Sequence, residues 1–212
     1  LIFKMLLVKS LHSPELFSND HLMDLCSDDN EYRNKSISNL EEVIKKTLEL
    51  KPFFKSDKPL IIINAGGWSI DRIFLSDEQK LKKYDLIGDA LDSINLKGVE
   101  VIIQTMPPFP WHFGGQRFHN LFMDADEIVS FCVKFNKRIC LDVSHSKLYC
   151  INSKKSFSEF LRKTFKYSAH HHIVDAEGVD SEGLQIGDGI IDFKNLGEIM
   201  NKYSPNTSFI PE

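Results

Sequence analysis

Short β-branched segments alternate along this chain with longer amphipathic segments. Strands separated by helical segments of about a dozen or more residues are typical of βα units and a parallel sheet. Six hydrophobic segments predict the strands, and the last five begin about 30 to 40 residues apart: Met5–Leu11, Pro59–Asn64, Val99–Thr105, Arg138–Val143, Ser168–Val174 and Thr207–Pro211. The pattern therefore predicts an α/β fold built from one repeated unit.

Polar residues that cap helices predict where several helices begin. A Ser followed three residues later by Glu or Gln can satisfy unpaired backbone N–H groups, and the chain has this pattern at Ser38–Glu41, Ser76–Gln79 and Ser156–Glu159. After each of the first two capping patterns we expect a stripe of apolar residues that faces the sheet. The first stripe is Leu40, Val43, Ile44 and Leu48, and the second is Leu81, Tyr84, Ile87, Leu91 and Ile94. Two further helices are expected over Asp126–Phe135 and Phe193–Tyr203.

The loops after the strands favour a barrel over an open doubly wound sheet. The chain has neither the G-x-G-x-x-G of dinucleotide-binding sheets nor the G-x-x-x-x-G-K-[ST] of P-loop proteins. Polar residues instead end successive strands, where a (β/α)8 barrel builds its active site. They are His12, Asn64, Gln104, Asp142, His145, His170, His172, Asp175 and Glu212. Carboxylates with imidazole suit a divalent ion such as Mn²⁺, Mg²⁺, Co²⁺ or Zn²⁺.

His171 lies between His170 and His172 in the sequence and is excluded from this set of strand-end residues. Side chains alternate along a strand, so His171 is expected to point away from the face that His170 and His172 share.

Composition indicates one globular domain over residues 1–212 with a small-molecule partner. The chain is 42% hydrophobic and 26% charged, which is ordinary for a globular protein. Its formal net charge of −4 disfavours nucleic acid and anionic membranes as partners. No apolar run approaches the roughly 20 residues that cross a bilayer. Four cysteines without C-x-x-C spacing fit a reducing compartment, so we expect the cytoplasm.

Three segments together resemble a known superfamily. Ile139–His145 contains a D-x-x-H motif, His170–Asp175 contains an H-x-x-D motif, and Phe209–Glu212 follows them. They resemble the xylose isomerase-like barrels, a superfamily of sugar isomerases, sugar epimerases and endonuclease IV. The resemblance runs from a third strand to an eighth strand. It implies an incomplete (β/α)8 TIM barrel in which the first two βα units and the last helix are missing.

The resemblance also implies roles for individual residues. It makes Asp142 and His172 metal ligands, Glu212 a ligand that is also the base, and His145 a catalytic or substrate contact. Gln104 stands where members usually have glutamate, and its amide oxygen can ligate a metal but has no charge and is no base. Further substrate contacts are expected at His12, Asn64 and Gln185. The implied activity is that of a metal-dependent isomerase or epimerase that moves a proton next to the carbonyl of a sugar or sugar phosphate.

The segment from Pro107 to Asn120 is rich in proline, glycine and aromatic residues, which predicts a loop. As a lid over the pocket, it would stack Trp111 and Phe113 on a sugar and pair Arg117 with a phosphate or carboxylate. The alternative is that the aromatic side chains only pack the loop onto the barrel rim.

Two other functions stay open. A noncatalytic carbohydrate-binding accessory barrel is favoured by the loss of the glutamate at Gln104. A metal-dependent nuclease is disfavoured by the net charge of −4 and by Asn64, which replaces the histidine expected of endonuclease IV. A homo-oligomer of the full-length protein is compatible with each of these functions.

Overall fold

The computed structural model describes residues 10–112 and 114–211. Six strands form one sheet in chain order, and every neighbouring pair is parallel. They are β1 (Ser10–His12), β2 (Leu60–Ile63), β3 (Glu100–Gln104), β4 (Ile139–Asp142), β5 (Ser168–Ile173) and β6 (Ser208–Pro211). The six predicted strands are therefore confirmed, although the first residues of the earliest one, 5–9, lie outside the described residues.

Six α-helices are present in the described part of the chain. They are α1 (Asn30–Leu50), α2 (Asp77–Ser93), α3 (Ala125–Phe135), α4 (Val143–Ser153), α5 (Phe157–Thr164) and α6 (Phe193–Tyr203). The two predicted capping serines before α2 and α5 are confirmed. Ser76 forms a reciprocal capping box with Gln79, and the Ser156 side chain accepts a hydrogen bond from the Glu159 N–H.

The predicted helix start at Ser38 is wrong. Helix α1 begins at Asn30, and the Asp29 side chain caps it by accepting from the N–H groups of Glu31 and Tyr32. Ser38 therefore lies inside the helix, because Asp29 is an equally good capping residue nine positions earlier. Two stripe positions are also wrong. Leu81 is 58% exposed, because the face of α2 that packs begins at Tyr84, and Leu48 near the end of α1 is 37% exposed.

The sheet curls strongly. Side chains of β1 contact side chains of β5, four strands away, which in a flat sheet would be roughly 19 Å distant. Ser10 Oγ lies 3.4 Å from His170 Nε2, and the rings of His12 and His172 are 5.7 Å apart. This curl, with parallel strands in sequential order and helices between them, is that of an incomplete (β/α)8 barrel.

The core lies mostly between the sheet and the helices, because alternate residues of each strand face outward. That outer core includes Ile61, Ile63 and Ile103. A smaller cluster fills the concave side: Leu60, Ile62, Ile102, Cys140 and Ala169. In the described residues, no helix has the length and apolar character needed to span a membrane.

Candidate active site at the carboxyl ends of the strands

Asp142 is a firmly held acid at the carboxyl end of the sheet. It ends β4 and also caps α4, so its backbone belongs to both elements. Its Oδ1 accepts hydrogen bonds from the His145 N–H and the Ser144 hydroxyl, both at 2.9 Å. The side chain is buried and has one oxygen, Oδ2, left to face the barrel interior.

Asp142, His172 and Gln104 form a buried cluster around that oxygen. The parallel register pairs Asp142 with His172, and their Oδ2 and Nδ1 atoms are 3.7 Å apart. Gln104 Nε2 donates to Asp142 Oδ2 at 3.0 Å and lies 3.2 Å from His172 Nδ1. The structure thus brings together three of the four residues predicted to bind metal. The fourth, Glu212, lies outside the described residues.

The side chains that the structure describes supply only part of a binding site for a divalent ion. Asp142 Oδ2 and His172 Nδ1 are ligands of the right kind. The Gln104 oxygen instead lies 2.8 Å from His12 Nε2, so its NH₂ group faces Asp142 and His172. Among the described residues, no three His, Cys, Asp or Glu side chains are placed to share a metal. A metal site would need Gln104 to turn its amide or Glu212 to complete the set.

His145 is a cationic imidazole in this site. Its Nδ1 donates to the Thr105 carbonyl at 2.8 Å, and its Nε2 lies 3.2 Å from the Glu182 carboxylate. Burial disfavours the charged ring, but Asp142 and Glu182 outweigh burial and raise the pKa of His145 to about 9. His145 therefore carries a positive charge at neutral pH, next to a carboxylate.

The Asp142 carboxylate is ionised in turn. Burial alone would raise its pKa, but the neighbouring imidazoles of His145 and His172 hold the pKa of Asp142 well below its usual range. The cluster is consequently a buried anion and cation beside each other, and such perturbed groups concentrate at functional sites.

The fold agrees with what the chain is similar to. A family model described as "Xylose isomerase-like TIM barrel" matches residues 6–212. The chain belongs to this family. A search of the curated proteins finds no match.

Solved structures of similar fold include three sugar epimerases by name. A D-tagatose 3-epimerase-like protein is 20% identical with a TM-score of 0.66, and the match covers 96% of this chain and 70% of that one. An L-ribulose 3-epimerase is 15% identical with a TM-score of 0.65, covering 97% and 61%. A 3-keto-D-glucoside 4-epimerase from E. coli is 14% identical with a TM-score of 0.65, covering 96% and 70%. The chain thus spans 61 to 70% of the length of these proteins, and the likeness shows the shared fold.

The loops of this xylose isomerase-like barrel add residues that the strand-end pattern did not predict. Glu15 accepts a hydrogen bond from Asn64 Nδ2 and lies 3.2 Å from His112 Nδ1. Glu182 reaches His145 from the hairpin after β5, and His119 is buried near His112. A loop residue's position depends on tertiary contacts rather than periodicity. For His112 and His119, the only sequence signal is a titratable residue within an aromatic segment.

Three predicted substrate contacts lie on loops. Trp111 is 67% exposed on a short hairpin formed by Trp111–His112 and Gly115–Gln116. The Arg117 guanidinium lies over the Trp68 ring, 5.5 Å from its centre. Gln185 is exposed after the hairpin that follows β5. Phe113 lies outside the described residues.

The structure separates two other residues from the predicted set. His171 points outward, where it packs edge-on against Phe165 and its Nε2 bonds Ser204 Oγ at 2.9 Å, which confirms the alternation argument. Asp175 does not face the barrel interior with the others. Its carboxylate accepts four backbone N–H groups, from Ala176, Gly187, Gly189 and Ile191. This acid organises a loop, because its oxygens are already fully occupied.

Proposed function

We propose that the protein is a sugar isomerase or epimerase that moves a proton on the carbon next to a carbonyl. The observation that carries this proposal is the buried cluster of Asp142, His172 and Gln104 beside the cationic His145, at the carboxyl ends of barrel strands. Removing that proton leaves negative charge on the carbonyl oxygen, and a fixed cation next to it lowers the barrier. The epimerase names of several solved neighbours support the same class of substrate.

Each residue has a distinct part in this proposal. The His145 Nε2–H is held by Glu182, a partly exposed side chain that a substrate oxygen can replace. Asp142 keeps His145 charged, and the Thr105 carbonyl fixes the orientation of its ring. Glu212 takes the proton, as the family resemblance implies. When bound, one divalent ion held by Asp142, His172 and Glu212 would supply positive charge beside the substrate's oxygens.

Solvent exchange tests the proposed reaction. The full-length protein, incubated in deuterated water with D-tagatose or L-ribulose and Mn²⁺, should incorporate deuterium at the carbon next to the carbonyl, observed by proton NMR. Glu212→Gln should abolish the incorporation, because glutamine is no base. Glu100→Gln is the matched control, since Glu100 pairs with Arg138 at the far end of the strands. Exchange that survives Glu212→Gln would show that another group is the base.

A metal measurement separates the cofactor from the reaction. Asp142→Ala and His172→Ala should each remove bound divalent metal detected by elemental analysis of the purified protein. Metal content equal to that of the wild type would contradict the proposed ligands, whatever the activity.

A sugar-binding accessory barrel is the second candidate. The Gln104 amide favours it, because a hydrogen-bond donor already faces Asp142 and His172 in the place where a cation would act. In that case the wild type should bind sugars in calorimetry and show no deuterium incorporation.

A further inference from the structure

A second group of polar side chains adjoins the strand-end cluster. Glu15 follows β1, Asn64 follows β2, and His112 and His119 lie on the loop after β3. Glu15 accepts from Asn64 Nδ2 and lies 3.2 Å from His112 Nδ1. The rings of His112 and His119 are 5.9 Å apart. Three separate loops therefore bring four polar side chains into one contiguous group.

Several buried atoms of this group have no hydrogen-bond partner in the described part of the chain. They are Asn64 Oδ1, His112 Nε2 and both ring nitrogens of His119. His119 is only 4% exposed. Buried polar atoms nearly always have a partner in protein, water or ligand. Their concentration at one place is what a site for a molecule with several hydroxyl groups requires, because each hydroxyl can both donate and accept.

The charges of the group favour an uncharged ligand. Burial is the main cause that lowers the pKa of His119 to about 3, so this ring is neutral and offers one donor and one acceptor. The hydrogen bond from His112 lowers the pKa of Glu15, so its carboxylate is ionised. The basic side chains that act most strongly on Glu15 are the imidazoles of His112, His12 and His145, without a lysine or arginine among them.

We propose that Glu15, His112 and His119, with Asn64, form a hydroxyl-binding subsite that orients a neutral sugar and disfavours its phosphate ester. The subsite rests on the proposed function, since Glu15 lies near enough to His12 and His145 of the strand-end group for their imidazoles to lower its pKa. Glu15 is the specificity-determining residue. Its carboxylate accepts hydroxyl protons of a neutral sugar but repels a phosphate dianion.

Binding of matched ligands tests the subsite without relying on catalysis. The full-length protein is titrated by calorimetry with D-tagatose and with D-tagatose 6-phosphate. The wild type should bind the free sugar at least about tenfold more tightly. His112→Phe keeps a ring but removes both nitrogens, and should weaken D-tagatose binding by about tenfold or more.

Glu15→Gln is the decisive variant. Glu15 is 46% exposed, so the glutamine should be accommodated in the fold, as near-ultraviolet circular dichroism can verify. It should reduce the preference for the free sugar by about fivefold or more, mainly by improving binding of the phosphate ester. Glu100→Gln, the control in a surface ion pair, should leave the preference unchanged.

The outcomes distinguish the two proposals. Equal or tighter binding of the phosphate ester by the wild type overturns the subsite and leaves the proposed reaction standing. So does unchanged sugar affinity in both His112→Phe and Glu15→Gln, which would mean that water alone fills these positions. Failure of the wild type to bind either ligand overturns the proposed function and the subsite together.

Discussion

At the scale of single residues, the orientation of the Gln104 amide governs what the site can bind. His12 Nδ1 lies 2.8 Å from the Ser13 carbonyl, so this nitrogen donates, and its Nε2 lies 2.8 Å from Gln104 Oε1. If the amide turned, its NH₂ group would face His12 Nε2 instead. The amide oxygen would then face Asp142 and His172, as a metal ligand must.

Gln104→Glu tests this argument. A glutamate brings a second carboxylate beside Asp142, so without metal we expect the free energy of unfolding to fall by about 1 to 3 kcal/mol. With Mn²⁺ the added charge should tighten metal binding by about tenfold or more, and the lost stability should return. Urea unfolding and calorimetric Mn²⁺ titration measure the two effects. Equal Mn²⁺ affinity in wild type and variant would contradict a shared metal site.

The burial of His171 makes the stability of the protein depend on pH. Burial, with smaller effects from His170 and His172, lowers the pKa of His171 to about 3, whereas an unfolded histidine titrates near about 6.5. The unfolded chain therefore binds more protons between these values, and stability is lost as pH falls from 6.5 toward 3. His171→Phe should flatten this loss by up to about 1.4 kcal/mol per pH unit, measured by urea unfolding at pH 7, 6 and 5. An unchanged slope would contradict the buried neutral ring.

The positions of residues at strand ends could be predicted from the sequence, and the positions of residues on loops could not. Asp142, His145 and His172 follow from the βα period, because parallel strands end at the same edge of the barrel. Glu15 and His112 meet only through the folding of two loops that lie far apart in sequence. No local pattern encodes that contact.

At the scale of elements, the loop after β5 depends on Asp175. Burial would raise the pKa of this carboxyl, but the four backbone N–H groups outweigh burial and lower it. Gly189 is required at its position, since a Cβ there would lie 2.4 Å from Asp175 Oδ1. The H-x-x-D motif therefore contains one candidate ligand and one structural acid. The sequence alone does not distinguish the two.

Asp175→Asn should loosen this loop. An asparagine replaces one acceptor oxygen by an NH₂ group that faces other donors, so several backbone N–H groups lose their partner. Amide exchange at Gly187, Gly189 and Ile191 should become about tenfold faster or more, measured by NMR or mass spectrometry. Asp188→Asn, on an exposed residue of the same loop, is the control. Equal protection in both variants would show that the loop is ordered by other contacts.

Helix α4 shows why one element escaped prediction. Asp142 both ends β4 and caps α4, so no loop separates them, and Ser144 and Ser146 interrupt the apolar pattern at the helix start. Ser38 shows the converse error, since a capping pattern inside a long helix is only coincidence. Cap residues define a helix start only when the preceding segment is not itself helical.

At the scale of the whole molecule, the two sides of the sheet contribute unequally to stability. The outer side packs against the helices and holds most of the buried apolar residues. The inner side has a five-residue apolar cluster and, beyond it, the polar layer in which His170 Nδ1 bonds Ser208 Oγ at 2.8 Å. Stability thus resides mainly outside the barrel wall, and the interior is left for polar side chains.

Two adjacent residues of β2 test this division. Ile61 is buried in the outer core and Ile62 in the inner cluster, so the same substitution samples both sides of one strand. Ile61→Ala should lower the free energy of unfolding by about 3 to 4 kcal/mol, because the helices above it cannot collapse into the cavity. Ile62→Ala should cost about 2 kcal/mol, since water from the neighbouring polar layer can occupy part of the space. Urea unfolding of the full-length variants measures both values. If Ile62→Ala lowers the free energy of unfolding as much as Ile61→Ala or more, the inner cluster stabilises the barrel as much as the helical layer does.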